Sequence, residues 1–304
     1  MNLLGLSFPN AHLTRVADFD LIHCAHCLSK NENKPWVADF ESEWQMYVGE
    51  KTFFGKKSVD KIISKDNCKK IIPWTNGAKR ELENRFPKLK NKFEVVYPAV
   101  PLMVNNKQYK KQITLLFIAR YFYQKGGLHA LEAINRLTKK YNNVSGIFIS
   151  QTPSEIINKY SSNKKIKFYN LMPQQRLFKE IFPLADIFVY PGYTDSFGFA
   201  LLEAMSFGIP IVTVDGFARK EIVDDGKTGF VVEKDKDIDW RKITKNEEEI
   251  IEKLVDKTSL LTEDAQLRAK MSKNCFKEIK NGKFSIKERN KKLEKIYAIA
   301  AGKL

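Results

Sequence analysis

The sequence predicts an α/β protein built on a doubly wound parallel sheet. Short runs of β-branched and aromatic residues, apolar enough to be strands buried on both faces, alternate with segments of helical character. The stretch 186–214 contains one complete unit: a buried strand, a polar loop, a helix and a second buried strand. Ligands of such sheets bind at the carboxyl ends of the strands, so we expect a ligand beside the loop at 193–198.

The composition is that of an ordinary globular protein, with 304 residues, 43% hydrophobic and 29% charged. This length suits one large domain or two of moderate size. No apolar run is long enough to span a bilayer, and the first residues lack the pattern of a secretory signal. Four cysteines do not form a disulfide framework, so we expect a reducing, cytoplasmic location. The formal charge of +16 favours an anionic partner: a nucleotide ligand, an acidic membrane face or nucleic acid.

The first part of the chain is predicted to form a small domain, residues 1–105. Its predicted strands are residues 20–24, 35–40, 61–64, 70–73 and 93–97. A helix begins after Thr75 or Asn76, either of which can cap it. Residues 102–112 are polar, rich in Lys and Asn and without periodicity, which indicates a linker.

A second domain is predicted at residues 113–285, with a last helix at 286–304 that packs back on the first domain. Its predicted strands are residues 113–119, 144–149, 165–168, 186–190, 209–214 and 230–232. The predicted helices are residues 128–141, 174–182, 199–207, 247–258, 263–281 and 286–301. Gly208 and Pro210 end the helix at 199–207, since glycine suits the position after a helix and proline cannot continue it.

Charged residues stand where this sheet would bind a ligand. Arg120 ends the first strand of the second domain, and Lys125 precedes the next helix. An arginine fork and a lysine charge at these places would hold a diphosphate, although solvated loop cations give the same pattern. Gly198 opens the helix at 199–207, whose positive end attracts anions. Glu203, within that helix, either contacts the ligand or points to water.

Two motifs carry a resemblance to a known family. Asp195-Ser-Phe-Gly-Phe-Ala-Leu-Leu-Glu203-Ala-Met-Ser-Phe-Gly-Ile-Pro210 resembles the donor-site signature of the retaining GT-B glycosyltransferases of family four. That signature is an acid, seven residues, a glutamate, Ala-Met and Gly-x-Pro. Leu-Leu-Phe-Ile-Ala-Arg120, followed by Lys125-Gly, is similar to the family's second donor-site motif. The resemblance covers residues 115–235 well and the first domain loosely. It implies two Rossmann-like domains that face a cleft.

The resemblance also implies roles for single residues. Arg120 and Lys125 would be catalytic cations that hold the diphosphate of a sugar nucleotide. Asp195, where the family more often has glutamate, would be catalytic through contacts with the sugar hydroxyls. The predicted donor-binding residues are Ser196, Phe197, Gly198, Phe199, Glu203 and Glu221. Glu203 would bind the ribose hydroxyls, and Glu221 corresponds to a family region that faces the base or the diphosphate.

The implied reaction moves a hexose from a UDP- or GDP-sugar to a glycan or a lipid-linked acceptor with retention of configuration. No cofactor or metal is expected, because two side-chain cations neutralise the diphosphate. The leaving phosphate oxygen would accept the proton of the acceptor, so no protein base is required.

The run His23-Cys-Ala-His26-Cys27 has the residue types of a metal site. Four such side chains within five residues of a strand cannot converge on one ion, because alternate side chains face opposite sides, so we predict no metal there. The family places a histidine after the equivalent strand, near the donor sugar. His26, or His23, is therefore a catalytic candidate. Asp39 and Glu41 either line the same cleft or are solvated.

Basic residues are frequent in the first domain, at Lys56, Lys57, Lys61, Lys65, Lys69, Lys70, Lys79 and Arg80. They indicate either docking on an anionic membrane, at its inner face, or only a Lys-rich composition. Nucleic acid is not expected as a partner, since no nucleic-acid-binding module is present.

The first domain is much shorter than the family's usual one, and residues 3–8 are at most a remnant of its opening strand and glycine-rich loop. Two alternatives to a transferase therefore stay open. One is an inactive or partner-dependent subunit that binds a nucleotide sugar, and the other is a nucleotide-sugar epimerase.

Overall fold

The computed structural model describes residues 7–14, 18–49, 52–103, 111–194, 197–234, 241 and 245–303. The chain divides into two compact units. The first is Met1–Pro98 together with Ile286–Leu304, and the second is Ala99–Ser285. Within the described ranges, no helix is both long and apolar enough to cross a membrane.

The first unit contains a three-stranded parallel sheet. The strands of the whole unit are β1 (Phe8–Pro9), β2 (Ala11–His12), β3 (Ile22–Ala25), β4 (Leu28–Ser29), β5 (Trp36–Phe40), β6 (Tyr47–Val48) and β7 (Cys68–Pro73). The sheet order is β3-β5-β7, while β1 pairs with β6 and β2 pairs with β4. The central strand β5 is buried at four of its five positions, which is the reason for its apolar composition.

Helices cover this small sheet. They are α1 (Phe53–Ile63), α2 (Asn76–Arg85) and a C-terminal helix, Ile286–Ala300, with 3₁₀ turns at Glu43–Met46 and Pro87–Lys92. Of the two predicted caps, Thr75 is the one that caps α2, since its side chain accepts a hydrogen bond from the N–H of Ala78. The C-terminal helix buries Leu293 and Ile296 in a cluster with Val37 of β5 and Ile72 of β7.

Two predicted strands of the first unit are wrong. Residues 61–64 form the end of α1, because the apolar residues continue a helical spacing that buries Gly55, Val59 and Ile63 on one face. The pair Ile62-Ile63 resembles a strand only when it is separated from that series. Residues 93–97 form no strand beyond a single bridge from Phe93 to β7.

The second unit contains a six-stranded sheet in which every pair is parallel. Its strands are β8 (Ile113–Ala119), β9 (Val144–Ser150), β10 (Ile166–Tyr169), β11 (Ile187–Tyr190), β12 (Ile211–Val214) and β13 (Gly229–Val232). Its helices are α3 (Gly127–Lys140), α4 (Ser154–Tyr160), α5 (Gln174–Arg176), α6 (Phe199–Ser206), α7 (Arg219–Ile222), α8 (Lys245–Glu263) and α9 (Ala265–Lys280). All six predicted strands are present, and most of the predicted linker lies outside the described residues.

The helix predicted at 174–182 is irregular. Only α5 is α-helical, followed by a π turn at Leu177–Ile181 and a 3₁₀ turn at Phe182–Leu184. Pro183 explains the break, because proline has no N–H to donate and its ring clashes with the carbonyl four residues earlier.

The order of the second sheet is β10-β9-β8-β11-β12-β13. From β8 the chain proceeds outward through β9 and β10, returns to β11 beside β8, and then proceeds outward on the other side. The strand order therefore reverses between β8 and β11. The loops that follow these two strands border the crevice where doubly wound sheets bind ligands.

Candidate functional site

Hydrogen bonds join the two loops at the reversal point of the second sheet. The N–H of Gly192 donates to the carbonyl of Lys125 at 3.0 Å. The Lys125 Nζ donates to the carbonyl of Thr194 at 3.3 Å, and the Thr194 hydroxyl donates to the carbonyl of Gln124 at 3.2 Å. Lys125 is thus positioned by both loops.

Glycine at position 126 permits this close approach. Gly126 has φ +74° and precedes α3, and a Cβ there would lie 2.5 Å from the Cβ of Pro191. A side chain would therefore both strain the backbone and displace the second loop. Arg120, the first residue after β8, is exposed. The structure thus places Arg120 and Lys125 on one loop beside β11.

Helix α6 begins in the following segment. Gly198 precedes it with φ +96°, and its first turn places the positive end of the helix dipole at the carboxyl edge of the sheet. Phe197 is fully buried, whereas Phe199 is 42% exposed, and their rings meet edge to face at 5.2 Å. Phe197 therefore anchors the turn, and Phe199 is accessible. Asp195 and Ser196 lie outside the described residues.

Glu203 does not simply point to water. It is half-buried on α6, and its Oε1 accepts a hydrogen bond from the Nε2 of Gln174 at 2.6 Å. Burial raises the pKa of Glu203 above its ordinary value, and the Gln174 bond opposes this rise. Glu221 is half-buried on α7, after β12. The roles of both acids stay predictions.

Two cations at the same edge of the sheet were not predicted. Arg219 of α7 is fully buried, and its Nε donates to the carbonyl of Val214 at the end of β12. Lys234 follows β13, and its Nζ lies 5.9 Å from the ring centroid of Tyr193. Burial, together with the charge of Arg219, lowers the pKa of Lys234. No motif marks either residue, because loops far apart in sequence bring them together.

The loop after β12 carries a strained residue. Phe217 has φ +49°, a left-handed conformation that bulky residues rarely adopt, and its ring is 66% exposed. The Arg219 guanidinium lies 5.6 Å from that ring centroid. Such strain at the carboxyl edge of a sheet is typical of binding loops.

A buried histidine supports the loop that bonds to Lys125. His129 of α3 is inaccessible to solvent, and its ring meets that of Tyr193 edge to face at 5.2 Å. Neither ring nitrogen has a hydrogen-bond partner among the described residues, and the Glu247 carboxylate is 3.9 Å away. Burial lowers the pKa of His129 to about 4. The imidazole is therefore neutral near pH 7.

The predicted histidine, His26, belongs to the first unit and has an unusual backbone. It follows β3 with φ +56°. Its N–H donates to the carbonyl of Asp39 at 3.0 Å, and its own carbonyl accepts a hydrogen bond from the Nδ2 of Asn10 at 2.8 Å. These two bonds hold a conformation that a histidine in isolation disfavours.

Gln45 determines which ring nitrogen of His26 carries the hydrogen. The backbone N–H of Glu41 donates to the Gln45 side chain at 2.9 Å, so the atom it meets must be the amide oxygen. The Nδ1 of His26 lies 3.1 Å from that same oxygen, which can only accept. Nδ1 therefore carries the hydrogen, and the lone pair of a neutral His26 is on Nε2. Sequence reasoning did not find Gln45, which no motif marks.

Asp39 connects the neighbouring strands of the first sheet. Its carboxylate lies 3.3 Å from the Nε2 of His23 and accepts a hydrogen bond from the indole of Trp74 at 2.6 Å. Burial would raise the pKa of Asp39, but the bonds from His23 and Trp74 outweigh it and hold the pKa below its ordinary value. The Trp74 ring also meets that of His26 edge to face at 5.0 Å. Of the two predicted alternatives for Asp39, solvation alone is therefore excluded.

In the run His23–Cys27, the thiols of Cys24 and Cys27 lie close to each other, while the two histidine rings have other partners. His23 is occupied by Asp39 and by the hydroxyl of Tyr297 at 2.6 Å, while the His26 ring contacts Gln45. Burial raises the pKa of Cys24 to about 12, which disfavours the thiolate that a metal would need. Across the described ranges, no three acidic, histidine or cysteine side chains converge as metal ligands.

Comparisons with known proteins agree on one family. The profile described as "Glycosyl transferases group 1" matches residues 102–278. The capsular polysaccharide biosynthesis glycosyltransferase CapM of Staphylococcus aureus is 30% identical over 151 residues, which are 50% of this chain and 32% of CapM. An N,N'-diacetylbacillosaminyl-diphospho-undecaprenol α-1,3-N-acetylgalactosaminyltransferase of Campylobacter jejuni is 28% identical over 177 residues, 58% of this chain and 43% of that enzyme. The chain thus spans less than half the length of these two relatives.

The fold also matches solved glycosyltransferases. HepE of Anabaena, solved in complex with UDP and glucose, aligns with a TM-score of 0.63 at 14% identity, over 92% of this chain and 78% of HepE. The predicted fold class, Rossmann-like α/β units of the GT-B kind, is confirmed.

Proposed function

This chain belongs to the glycosyl transferases group 1 family, and on that premise we propose that it transfers a hexose from a nucleotide-diphosphate sugar to a glycan or lipid-linked acceptor. The observation that supports this proposal most directly is the position of three positive groups at the reversal point of the second sheet. Arg120 and Lys125 follow β8, and the start of α6 follows the adjacent strand β11. A sugar nucleotide is a diphosphate anion with two sugars attached. Fixed positive groups at that crevice suit its centre.

The chemistry follows from where charge develops. As the bond from the anomeric carbon to the phosphate oxygen breaks, negative charge grows on the phosphate and positive charge on the sugar. Arg120 and Lys125 stabilise the negative charge on the phosphate, and they do so most strongly in the transition state. Lys125 is already held by Thr194, so little reorganisation is required. Arg219 and Lys234 add to the positive field at the same edge.

The carboxylates recognise the two sugars of the donor. Glu203, fixed by Gln174, is suited to accept hydrogen bonds from ribose hydroxyls, and Asp195 would do so for the hexose. His26 presents the lone pair of Nε2 and is proposed to accept a hydrogen bond from a donor hydroxyl. Glu221 is proposed to face the base or the diphosphate.

Retention and metal independence belong to this proposal. The acceptor attacks on the face that the diphosphate leaves, and the departing phosphate oxygen takes its proton. The product therefore keeps the configuration of the donor. Because side-chain cations neutralise the diphosphate, chelation of metals should leave the rate unchanged.

The relatives support the substrate classes. HepE was solved with UDP and glucose, and the Campylobacter enzyme is named for a lipid-linked diphosphate acceptor. We propose a UDP- or GDP-sugar as the donor and the cytoplasm as the location. Among the described residues, the main sheet of the first unit has three strands and that of the second has six, which favours one alternative: donor binding whose transfer step requires a partner.

The test is a panel of UDP-, GDP- and ADP-sugars measured first for binding and then for turnover, with and without EDTA. Removing one cation from a desolvated diphosphate should weaken donor binding about 10- to 100-fold in Arg120→Ala and Lys125→Ala. Lys139→Ala, an exposed lysine on α3, is the matched control and should bind as the parent does. Nuclear magnetic resonance of the product reports the anomeric configuration.

Each outcome separates the candidates. Binding without turnover favours the partner-dependent subunit, and interconversion of free donors favours an epimerase. If no nucleotide sugar binds, or if Arg120→Ala binds as well as Lys139→Ala, the proposed site is wrong.

A further inference from the structure

The first unit exposes large apolar side chains on elements that contact one another. They are Phe8, Trp44, Val48, Phe53 and Phe54, each between 55% and 77% exposed. Exposed apolar residues usually occur singly, whereas a group of them marks an interaction site. We refer to these five side chains as the aromatic ridge.

Strand pairing and helix packing bring the elements that carry the ridge together. Phe8 of β1 is paired with Val48 of β6, and the turn that carries Trp44 leads directly into β6. Helix α1 packs on β1 so closely that a Cβ at Gly55 would lie 2.2 Å from the hydroxyl oxygen of Ser7. The start of α1, with its two phenylalanines, therefore adjoins the Phe8–Val48 pair.

Cations continue the ridge along the helix. Phe53, Lys57 and Lys61 follow one another at a spacing of four residues, so they form one row on the surface of α1. The Nζ of Lys57 lies 4.6 Å from the ring centroid of Phe53. With Lys56, the helix carries three lysines against one acid, Asp60.

The combination of exposed aromatic rings and lysines selects the kind of partner. Protein interfaces are enriched in aromatic residues but depleted of lysine. The surface of an anionic bilayer accepts both, because rings enter the headgroup region while lysines meet lipid phosphates. Tryptophan is also a typical residue of the membrane–water interface.

We propose that the aromatic ridge and the row Phe53–Lys57–Lys61 form a docking surface for an anionic lipid bilayer. The proposal goes beyond the transfer reaction and does not depend on it, since the surface lies in the first unit and requires no sugar nucleotide.

The experiment measures sedimentation of the full chain with vesicles of phosphatidylcholine alone or mixed with phosphatidylglycerol. We expect binding only to the mixed vesicles, weakened by added salt. Phe53→Ser/Phe54→Ser should reduce the partition coefficient about tenfold or more. Lys57→Glu/Lys61→Glu should lower it at least 25-fold, at about fivefold for each lost cation.

Matched controls lie in the second unit. Leu184→Ser/Leu260→Ser removes two exposed apolar side chains, at 47% and 45% exposure, and Lys139→Glu/Lys167→Glu makes the same charge change as the lysine variant. Both should bind as the parent does. Circular dichroism before each assay shows whether a variant is folded.

Fluorescence provides a second readout of the same surface. The emission of Trp44 should shift to shorter wavelength on anionic vesicles, and Trp44→Phe should abolish that component. Failure of the parent to bind mixed vesicles would overturn the proposal, as would equal loss in the control variants. A dimer that sedimentation detects and that Phe53→Ser/Phe54→Ser dissociates would assign the ridge to self-association instead.

Discussion

Two glycines with nearly the same backbone angle permit a sharp test of the candidate site. Gly126 has φ +74° and Gly226 has φ +72°. A Cβ at Gly126 would lie 2.5 Å from the Cβ of Pro191, whereas a Cβ at Gly226 would have no heavy atom within 4 Å. Alanine therefore imposes the same backbone strain at both positions and a steric clash at only one.

The expected magnitudes follow from these two effects. The left-handed backbone costs an alanine about 1 kcal/mol. Overpacking adds about 1–3 kcal/mol. We therefore expect a loss of about 1 kcal/mol in Gly226→Ala and about 3 kcal/mol in Gly126→Ala. Only the second change displaces the loop that bonds to Lys125, so it alone should also weaken nucleotide-sugar binding.

Urea unfolding followed by circular dichroism measures the stability of both variants. Hydrogen exchange at the Gly192 N–H, which bonds to the carbonyl of Lys125, reports the local effect. Equal destabilisation of the two variants would refute the reasoning, and so would an unchanged exchange rate at Gly192 in Gly126→Ala.

Two other predictions concern histidines. Burial lowers the folded-state pKa of His129 to about 4 from 6.5, so the unfolded chain binds the proton first and stability falls as the pH drops from about 6.5 to 4, by about 3 kcal/mol in total. The variant His129→Phe cannot be protonated at this position, so its free energy of unfolding, measured by urea titration, should depend less on pH across this range. The same pH dependence as in the parent would contradict the lowered pKa of His129. In the first unit, the ¹⁵N chemical shifts of His26 should show hydrogen on Nδ1. Gln45→Leu should shift His26 toward the Nε2–H form. The control Gln151→Leu, at an exposed position of the second unit, should leave the tautomer unchanged. Finding the Nε2–H form in the parent protein would contradict the derived geometry.

Local patterns were sufficient for much of the second unit. The strand at 113–119 has the predicted bounds because both of its faces are buried, so its composition is continuously apolar. The helix at 199–207 ends within a residue of the prediction because Gly208 and Pro210 terminate it chemically. Arg120 and Lys125 were identified because their spacing repeats a family motif.

Other features depended on contacts between distant segments. The wrong strand at 61–64 shows that two isoleucines do not determine a secondary structure when a longer helical series includes them. Arg219 and Lys234 join the candidate site through loops after different strands. The exposure of Phe53 and Phe54 is likewise invisible in a sequence, where such residues are usually assigned to a core.

The sequence by itself determined the alternation of strands and helices, the family motifs and the positions of Arg120 and Lys125, the two cations proposed to hold a diphosphate, because each is encoded in neighbouring residues. Only the tertiary structure decided the strand order that brings the loops after β8 and β11 together, the tautomer of His26 and the surface that stays uncovered. The physical reason is that pairing, hydrogen bonding and burial are relations between residues far apart in the chain. A local pattern restricts such relations but does not specify them.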